Sequence, residues 1–321
     1  MITALLFAIG VVLIAGVVAF FGVNEVMSVV FTANTWYIAA AVIIQLAILL
    51  LLAGRLVLIA RKHEHIGFID AFKITMSGMA ISMLTPIAKI GGEPLKIYLL
   101  KKKKMDGSEA TAVIAVDTLA ELVSSLLMVF IIFMLYAREL PGVVSSSFIV
   151  FLIVVAVIIV GLLKLLLNPK WMRKLVRFAG RKISKFAHVK KRDYARLFYD
   201  AFQVLIKDKS IIASAFGMSF LTKILEFARM WLVFAAIGVF LPWDVVLIVW
   251  SVILVLYLVP WLPGSLGLIE LFGTGAFVML GITSSAAAGG LLLDRFISFW
   301  FVLIFGMLIV TTMKLPKKVR R

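Results

Sequence analysis

The sequence predicts an all-α polytopic membrane protein with six full spans and two re-entrant broken-helix hairpins, arranged as an inverted repeat of helix, helix, re-entrant hairpin, helix. Three observations carry that expectation. The 321-residue chain is 64% hydrophobic, with a mean hydropathy of +1.15, and holds several apolar runs near the roughly 20 residues that cross a bilayer. Its basic residues fall in a few clusters between those runs, which is how cytoplasmic loops are marked. Two apolar regions, TPIAKIGGEP and VPWLPGSLGLIE, are broken by proline and glycine, and each carries one glutamate.

The apolar runs do not alternate with polar residues, so they are not strands of a transmembrane barrel. No long polar stretch remains for a soluble domain, and residues 1–321 are read as a single transmembrane domain. The absence of cysteine excludes disulfides and thiolate metal sites. A net charge of +17 would suggest nucleic acid as the partner of a soluble protein, but its clustering makes it a topology signal instead.

Arg61 and Lys62, Lys101 to Lys104, the segment 170–209 and the tail 314–321 are assigned to the cytoplasm, and the connections around Asn24 and Glu25, Arg138 and Glu139, and Pro242 to Asp244 to the outside. A helix over about 2–22 then leads out; it has no basic leader or small-residue cleavage site and is read as retained. A helix over about 36–60 returns. Residues 68–104 begin and end inside, so they form a re-entrant hairpin with arms at about 68–84 and 94–104, the second too short to span at 1.5 Å per residue. Helices over about 108–136, 145–167 and 211–237 lead out, in and out. Residues 243–281 begin and end outside and form the second hairpin, entering from the opposite face, and a last helix over about 285–312 brings the C-terminus inside. The expected setting is the cell membrane, with both termini cytoplasmic.

Residues 1–140 thus form a first repeat and 141–321 an inverted second one, with a basic cytoplasmic insert at 169–210. The sequence keeps a trace of this duplication. Pro86, Glu93, Ser108 and Asp117 correspond without a gap to Pro263, Glu270, Ser285 and Asp294, each second number being the first plus 177.

Proline removes a backbone donor and glycine permits positive φ, so Pro86, Gly91, Gly92 and Pro94 in one hairpin, and Pro260, Pro263, Gly264 and Gly267 in the other, break helices at membrane depth. Such breaks are tolerated only where protein or water covers the exposed backbone. A new helix starts near Glu93 and near Gly267, so the two glutamates either complement helix starts or line a path for a polar group. Other ionisable residues lie deep in apolar helices, where each costs about 2.5–3.5 kcal/mol unless paired or wet. Lys223, Glu226 and Arg229 recur every three residues on one helical face, Asp117 and Glu121 share a face at i, i+4, and Asp294 stands beside Arg295. Two roles stand open for this set. They form structural ion pairs, or Arg229, Arg295 and Lys89 hold a phosphate while the carboxylates hold a cationic group or proton.

In the insert, Trp171, Leu175, Phe178, Ile183 and Phe186 recur at helical spacing opposite Arg173, Lys174, Arg177, Arg181 and Lys185. That pattern fits a helix lying in the headgroup layer against anionic lipid, or an ordinary basic linker. Phosphate-binding loops, the dinucleotide glycine fingerprint and His-Glu-x-x-His are missing, and His63 and His65 at i, i+2 do not converge on a metal. The expectation is a non-enzymatic chain with no cofactor and no metal.

GGEPLKIYLLKKK with the later DTLAELVS, and VPWLPGSLGLIELF with the later LLLDRFISFW, resemble the paired signatures of the lysylphosphatidylglycerol synthase transmembrane region, a flippase-like family, over about residues 2–310. The resemblance implies translocation of aminoacylated phosphatidylglycerol, or another charged or phosphate-bearing lipid, between leaflets. A scaffold or accessory subunit for a separate synthase or lipid-linked glycosyltransferase is the alternative, ahead of an intramembrane lipid-modifying enzyme. The family's soluble aminoacyl transferase domain has no counterpart in these 321 residues.

Overall fold

A computed structural model describes residues 22–85, 91–136, 191–258 and 262–313, with single positions between 12 and 19 and between 157 and 161. The expected spans at 2–22 and 145–167 fall outside the described residues except for those single positions, as do the apolar stripe of the insert, Pro86, Lys89 and Pro260. Every regular element described is helical: α1 (Val23–Phe31), α2 (Thr35–Ala60), α3 (Phe68–Leu84), α4 (Glu93–Lys102), α5 (Gly107–Tyr136), α6 (Lys191–Lys207), α7 (Lys209–Ala236), α8 (Trp243–Leu258), α9 (Leu268–Met279), α10 (Ser284–Arg295) and α11 (Phe301–Thr312). A 3-10 turn at Pro263–Ser265 precedes α9, and a π turn at Phe296–Trp300 joins α10 to α11.

Four of these stretches are long and apolar enough to cross a bilayer: α2, α5, α7 and the run Ser284–Thr312. Helices α8 and α9 are apolar but shorter. The chain is therefore a helical membrane protein, with polar residues setting where several helices begin. Asn34 Oδ1 accepts the Trp36 N–H at 2.9 Å and starts α2. Before α5, Glu109 reaches back to the Asp106 N–H at 3.3 Å, and Asp208 Oδ1 takes the Ile211 N–H at 3.2 Å at the head of α7.

The chain divides into two compact units, one drawing on 1–51, 72–95 and 222–321, the other on 52–71 and 96–221. In the first, Leu49, Met76 and Val302 form one core cluster, and Ala80, Leu266, Phe299 and Leu303 another. Helices α3 and α11 meet closely at Gly306, where an added Cβ would lie 2.7 Å from the Met76 carbonyl oxygen and 2.8 Å from Ala80 Cβ. Small residues let membrane helices approach in this way. Gly306→Val is expected to push the two helices apart at a cost of about 1–3 kcal/mol, read as a lower melting temperature of the purified protein in detergent; an unchanged melting temperature would refute the close contact.

The connection expected around Asn24 and Glu25 is instead the nine-residue helix α1. Its Val29 seats on α10, where an added Cβ at Gly289 would lie 2.8 Å from Val29 Cγ1. In the second unit, Tyr194, Phe198, Ala201, Phe202 and Leu205 recur along one face of α6 and are all buried. The Tyr194 hydroxyl donates to the Gly107 carbonyl at 2.9 Å and lies 2.7 Å from the Thr111 hydroxyl, tying α6 to α5. The apolar face of this part of the insert is thus covered by protein rather than by lipid.

Candidate functional site

The ionisable residues of the apolar helices gather into two buried clusters, one in each unit. In the second unit the organiser is Arg55 of α2, only 4% exposed. Its Nε donates to Asp117 Oδ1 at 2.7 Å, and its Nη1 donates to Glu121 Oε2 at 2.8 Å and to the Ser219 hydroxyl oxygen at 2.6 Å. Asp117 and Glu121 lie one turn apart on α5, so a single guanidinium reaches both. Lys96 of α4 adds a second cation, its Nζ 3.6 Å from Asp117 Oδ2. Among the described residues two cations thus face two carboxylates. Glu121 is its most open member, with a side chain 19% exposed.

The cluster of the first unit has three links. Lys223 Nζ, fully buried, lies 2.9 Å from Glu226 Oε1 one turn further along α7. Arg229 grips Asp294 of α10 through both oxygens, Nε to Oδ1 at 2.9 Å and Nη2 to Oδ2 at 3.2 Å, while its Nη1 donates to Gln45 Oε1 at 2.6 Å. Arg295 turns the other way. Its Nε donates to Glu270 Oε1 at 3.0 Å, Nη1 to the Tyr257 hydroxyl at 2.5 Å and Nη2 to the Gly264 carbonyl at 2.7 Å, with the Phe299 ring 4.6 Å away. Among the described residues three cations face three carboxylates here. An unpaired charge at such depth would cost several kcal/mol, about 3–5 for a broken buried pair.

Glu270 works twice. While Oε1 holds Arg295, Oε2 accepts the Gly267 N–H at 2.7 Å, so the carboxylate also anchors the start of α9 as its third residue. The loop it closes depends on glycine, because Gly264 and Gly267 have φ of +58° and +80°, and a Cβ on Gly264 would collide with the Phe299 ring. The other broken segment restarts at Glu93, in the first turn of α4. There the Gly92 N–H donates to the Ser82 hydroxyl at 2.8 Å, and an added Cβ on Gly92 would overlap the Gly78 carbonyl. Glu93 itself is half-buried. Among the described residues no three His, Asp or Glu side chains converge as a metal set.

A family model described as the lysylphosphatidylglycerol synthase TM region matches residues 5–306. The chain belongs to this family. It is similar to a UPF0104 membrane protein of Methanothermobacter thermautotrophicus, 26% identical over 320 residues that cover 94% of this chain and 93% of that one. It is likewise similar to a UPF0104 membrane protein of Pyrococcus horikoshii, 24% identical over 327 residues and 97% of each chain.

Of the site residues expected from the sequence, the structure joins Arg229 to Asp294, Arg295 to Glu270 and Lys223 to Glu226. Asp117 and Glu121 have a partner the sequence reading passed over, Arg55. Gln45, Lys96, Ser219 and Tyr257 were passed over too. The signal for Arg55 was present: an arginine inside an apolar helix is costly and needs a carboxylate. It stands six residues before the basic pair Arg61 and Lys62 and is easily taken for part of that edge.

Proposed function

We propose that the protein is a flippase-like lipid translocase that moves a charged phospholipid, or a lipid-linked phosphate compound, between leaflets without altering it chemically. One observation carries this reading: each unit of a chain in this family holds an arginine-centred cluster of paired charges on apolar helices, with one of its paired carboxylates less buried than the rest. Those carboxylates are Glu121 and Glu226, each with a side chain 19% exposed. A zwitterionic or phosphate-bearing headgroup is a chemical match for such paired charges, because it can exchange partners with them without leaving either sign uncompensated.

The reading includes the inverted repeat, with residues 1–140 and 141–321 as its halves and two opposed re-entrant hairpins flanking the path. The two arginine–aspartate pairs support it. Arg55 and Asp117 are 62 residues apart, Arg229 and Asp294 are 65 apart, and the two aspartates are among the positions related by 177. The proposed orientation has both termini in the cytoplasm of the cell membrane. Single cysteines at Lys103 and Glu139 are expected to label from opposite sides, with Asp244 labelling together with Glu139. Labelling of 103 and 139 from one side would discard the repeat.

The direct test is a leaflet-accessibility assay in proteoliposomes across labelled phosphatidylglycerol, its lysyl ester, a neutral phospholipid and a polyprenyl phosphate. Faster movement of at least one charged lipid than in protein-free vesicles is expected. A second reading, a membrane scaffold for a separate synthase or glycosyltransferase, is favoured by the hydrogen bonds of Arg55, Arg229 and Arg295, which run to protein groups. No movement of any lipid in the panel would leave that reading standing and remove the first.

A further inference from the structure

The second unit also carries a shallow, open hollow of about 520 Å³ lined by Lys62, Val204, Lys207, Asp208 and Lys209. We propose that this hollow is a fixed binding site for the phosphate of an acidic membrane lipid, built from residues outside the two charge clusters. Three chain segments build it. Lys62 follows the end of α2, Lys207 is the last residue of α6, and Lys209 is the first residue of α7. Three ammonium groups therefore face one carboxylate, an excess of two positive charges in one concavity.

The carboxylate does not cancel the site; it shapes it. Asp208 binds Lys62 Nζ at 2.8 Å, and its other oxygen caps α7 through the Ile211 N–H. The hydrogen bond from Lys62 holds the Asp208 carboxyl below the usual carboxylate range, so it stays ionised at neutral pH and keeps Lys62 pinned. Lys207 and Lys209, both exposed, are left to supply the attraction. Since Asp208 already occupies the α7 start, the affinity arises from ammonium groups, which bind phosphate as point charges.

Two further features select a lipid over a soluble anion. Helices α2 and α7 are long enough to cross a bilayer, and the hollow lies where both run out, the level at which headgroups lie. The outward stripe of α6 is also mixed: Leu197 is 52% and Val204 45% exposed, about three turns and one turn ahead of Lys207. Val204 lines the hollow itself, so a bound phosphate would have apolar surface beside it for the glycerol and upper acyl carbons.

The test is retention of phosphatidylglycerol by the full chain, measured by native mass spectrometry after purification from nanodiscs of mixed phosphatidylglycerol and phosphatidylcholine. Each lysine near an anionic surface contributes enough that losing two should lower retention by on the order of tenfold. Lys207→Gln with Lys209→Gln is expected to show that loss, whereas Lys101→Gln with Lys102→Gln, an equal change in charge, is expected to keep wild-type retention. Asp208→Asn preserves the helix cap and removes the competing charge, and is expected to raise retention. Equal losses in the two lysine pairs would reduce the hollow to a diffuse basic edge, and unchanged retention in both Lys207→Gln/Lys209→Gln and Asp208→Asn would overturn the site outright. Displacement of the lipid by millimolar pyrophosphate would assign it to a soluble anion instead. None of these readouts depends on lipid movement, so the site and the translocase reading stand or fall separately.

Discussion

Arg229→Leu is expected to cost about 3–5 kcal/mol of stability, and Arg229→Leu combined with Asp294→Leu to recover most of it. The guanidinium binds both oxygens of Asp294 and the Gln45 amide oxygen, and Arg229 and Asp294 are 6% and 5% exposed. Removing the arginine alone strands a buried carboxylate in a region where each charge is already costly to place. Removing both exchanges an ion pair for apolar contact, and a membrane-buried pair replaced by apolar side chains is often close to neutral in stability. Melting temperatures of the two single variants and the double variant in the same detergent give the coupling. Additive losses would show that the pair contributes nothing jointly. If the double variant melts like wild type yet no longer moves lipid, the pair contributes both to the fold and to the path.

That cycle also addresses what the sequence left open. Spacing placed Lys223, Glu226 and Arg229 on one face of a helix and put Asp294 on another, but a one-dimensional pattern cannot choose partners 65 residues apart. Helix positions were far easier to read. The expected helical extent 68–84 is α3, Phe68–Leu84, and the helix expected over 108–136 is α5, Gly107–Tyr136, because apolar runs between basic and turn residues are set by local chemistry. Features that depend on a neighbour did not show. The π turn at Phe296–Trp300 breaks a run that looks continuously helical, directly after the adjacent residues Asp294 and Arg295, which bind opposite partners. Helix α1 escaped for a similar reason: its nine residues are too few to register as a span, and the close seat against Gly289 exists only in three dimensions. Arg55 was hidden by the basic pair that follows it. The second task of Glu270, holding the Gly267 N–H, required knowing where the backbone turns.

Glu270 and Glu93 are related by the offset of 177, which from sequence alone gives them equivalent roles. Their surroundings predict different outcomes for the same substitution. Both oxygens of Glu270 accept from donors, Oε1 from Arg295 and Oε2 from the Gly267 N–H, and the residue is 1% exposed. A glutamine there must set its NH2 against one of those two donors, whichever way the amide is turned. It also withdraws the negative charge facing a guanidinium that is 2% exposed. Glu270→Gln is therefore expected to cost about 3 kcal/mol or more and to loosen the Pro263–Gly267 loop, so that any fall in lipid movement comes with a fall in melting temperature. Glu93 stands half-buried in the first turn of α4, where its charge complements the helix start, a contribution of about 0.3–1 kcal/mol. If the broken segment at Glu93 flanks the path, Glu93→Gln slows lipid movement while the melting temperature stays near wild type. Measuring both quantities for both variants separates the roles: Glu93→Gln moving lipid at the wild-type rate would take Glu93 out of the path and leave it a helix-start carboxylate, and equal melting losses in the two variants would mean that the second loop is not held by its glutamate in the way its hydrogen bonds require.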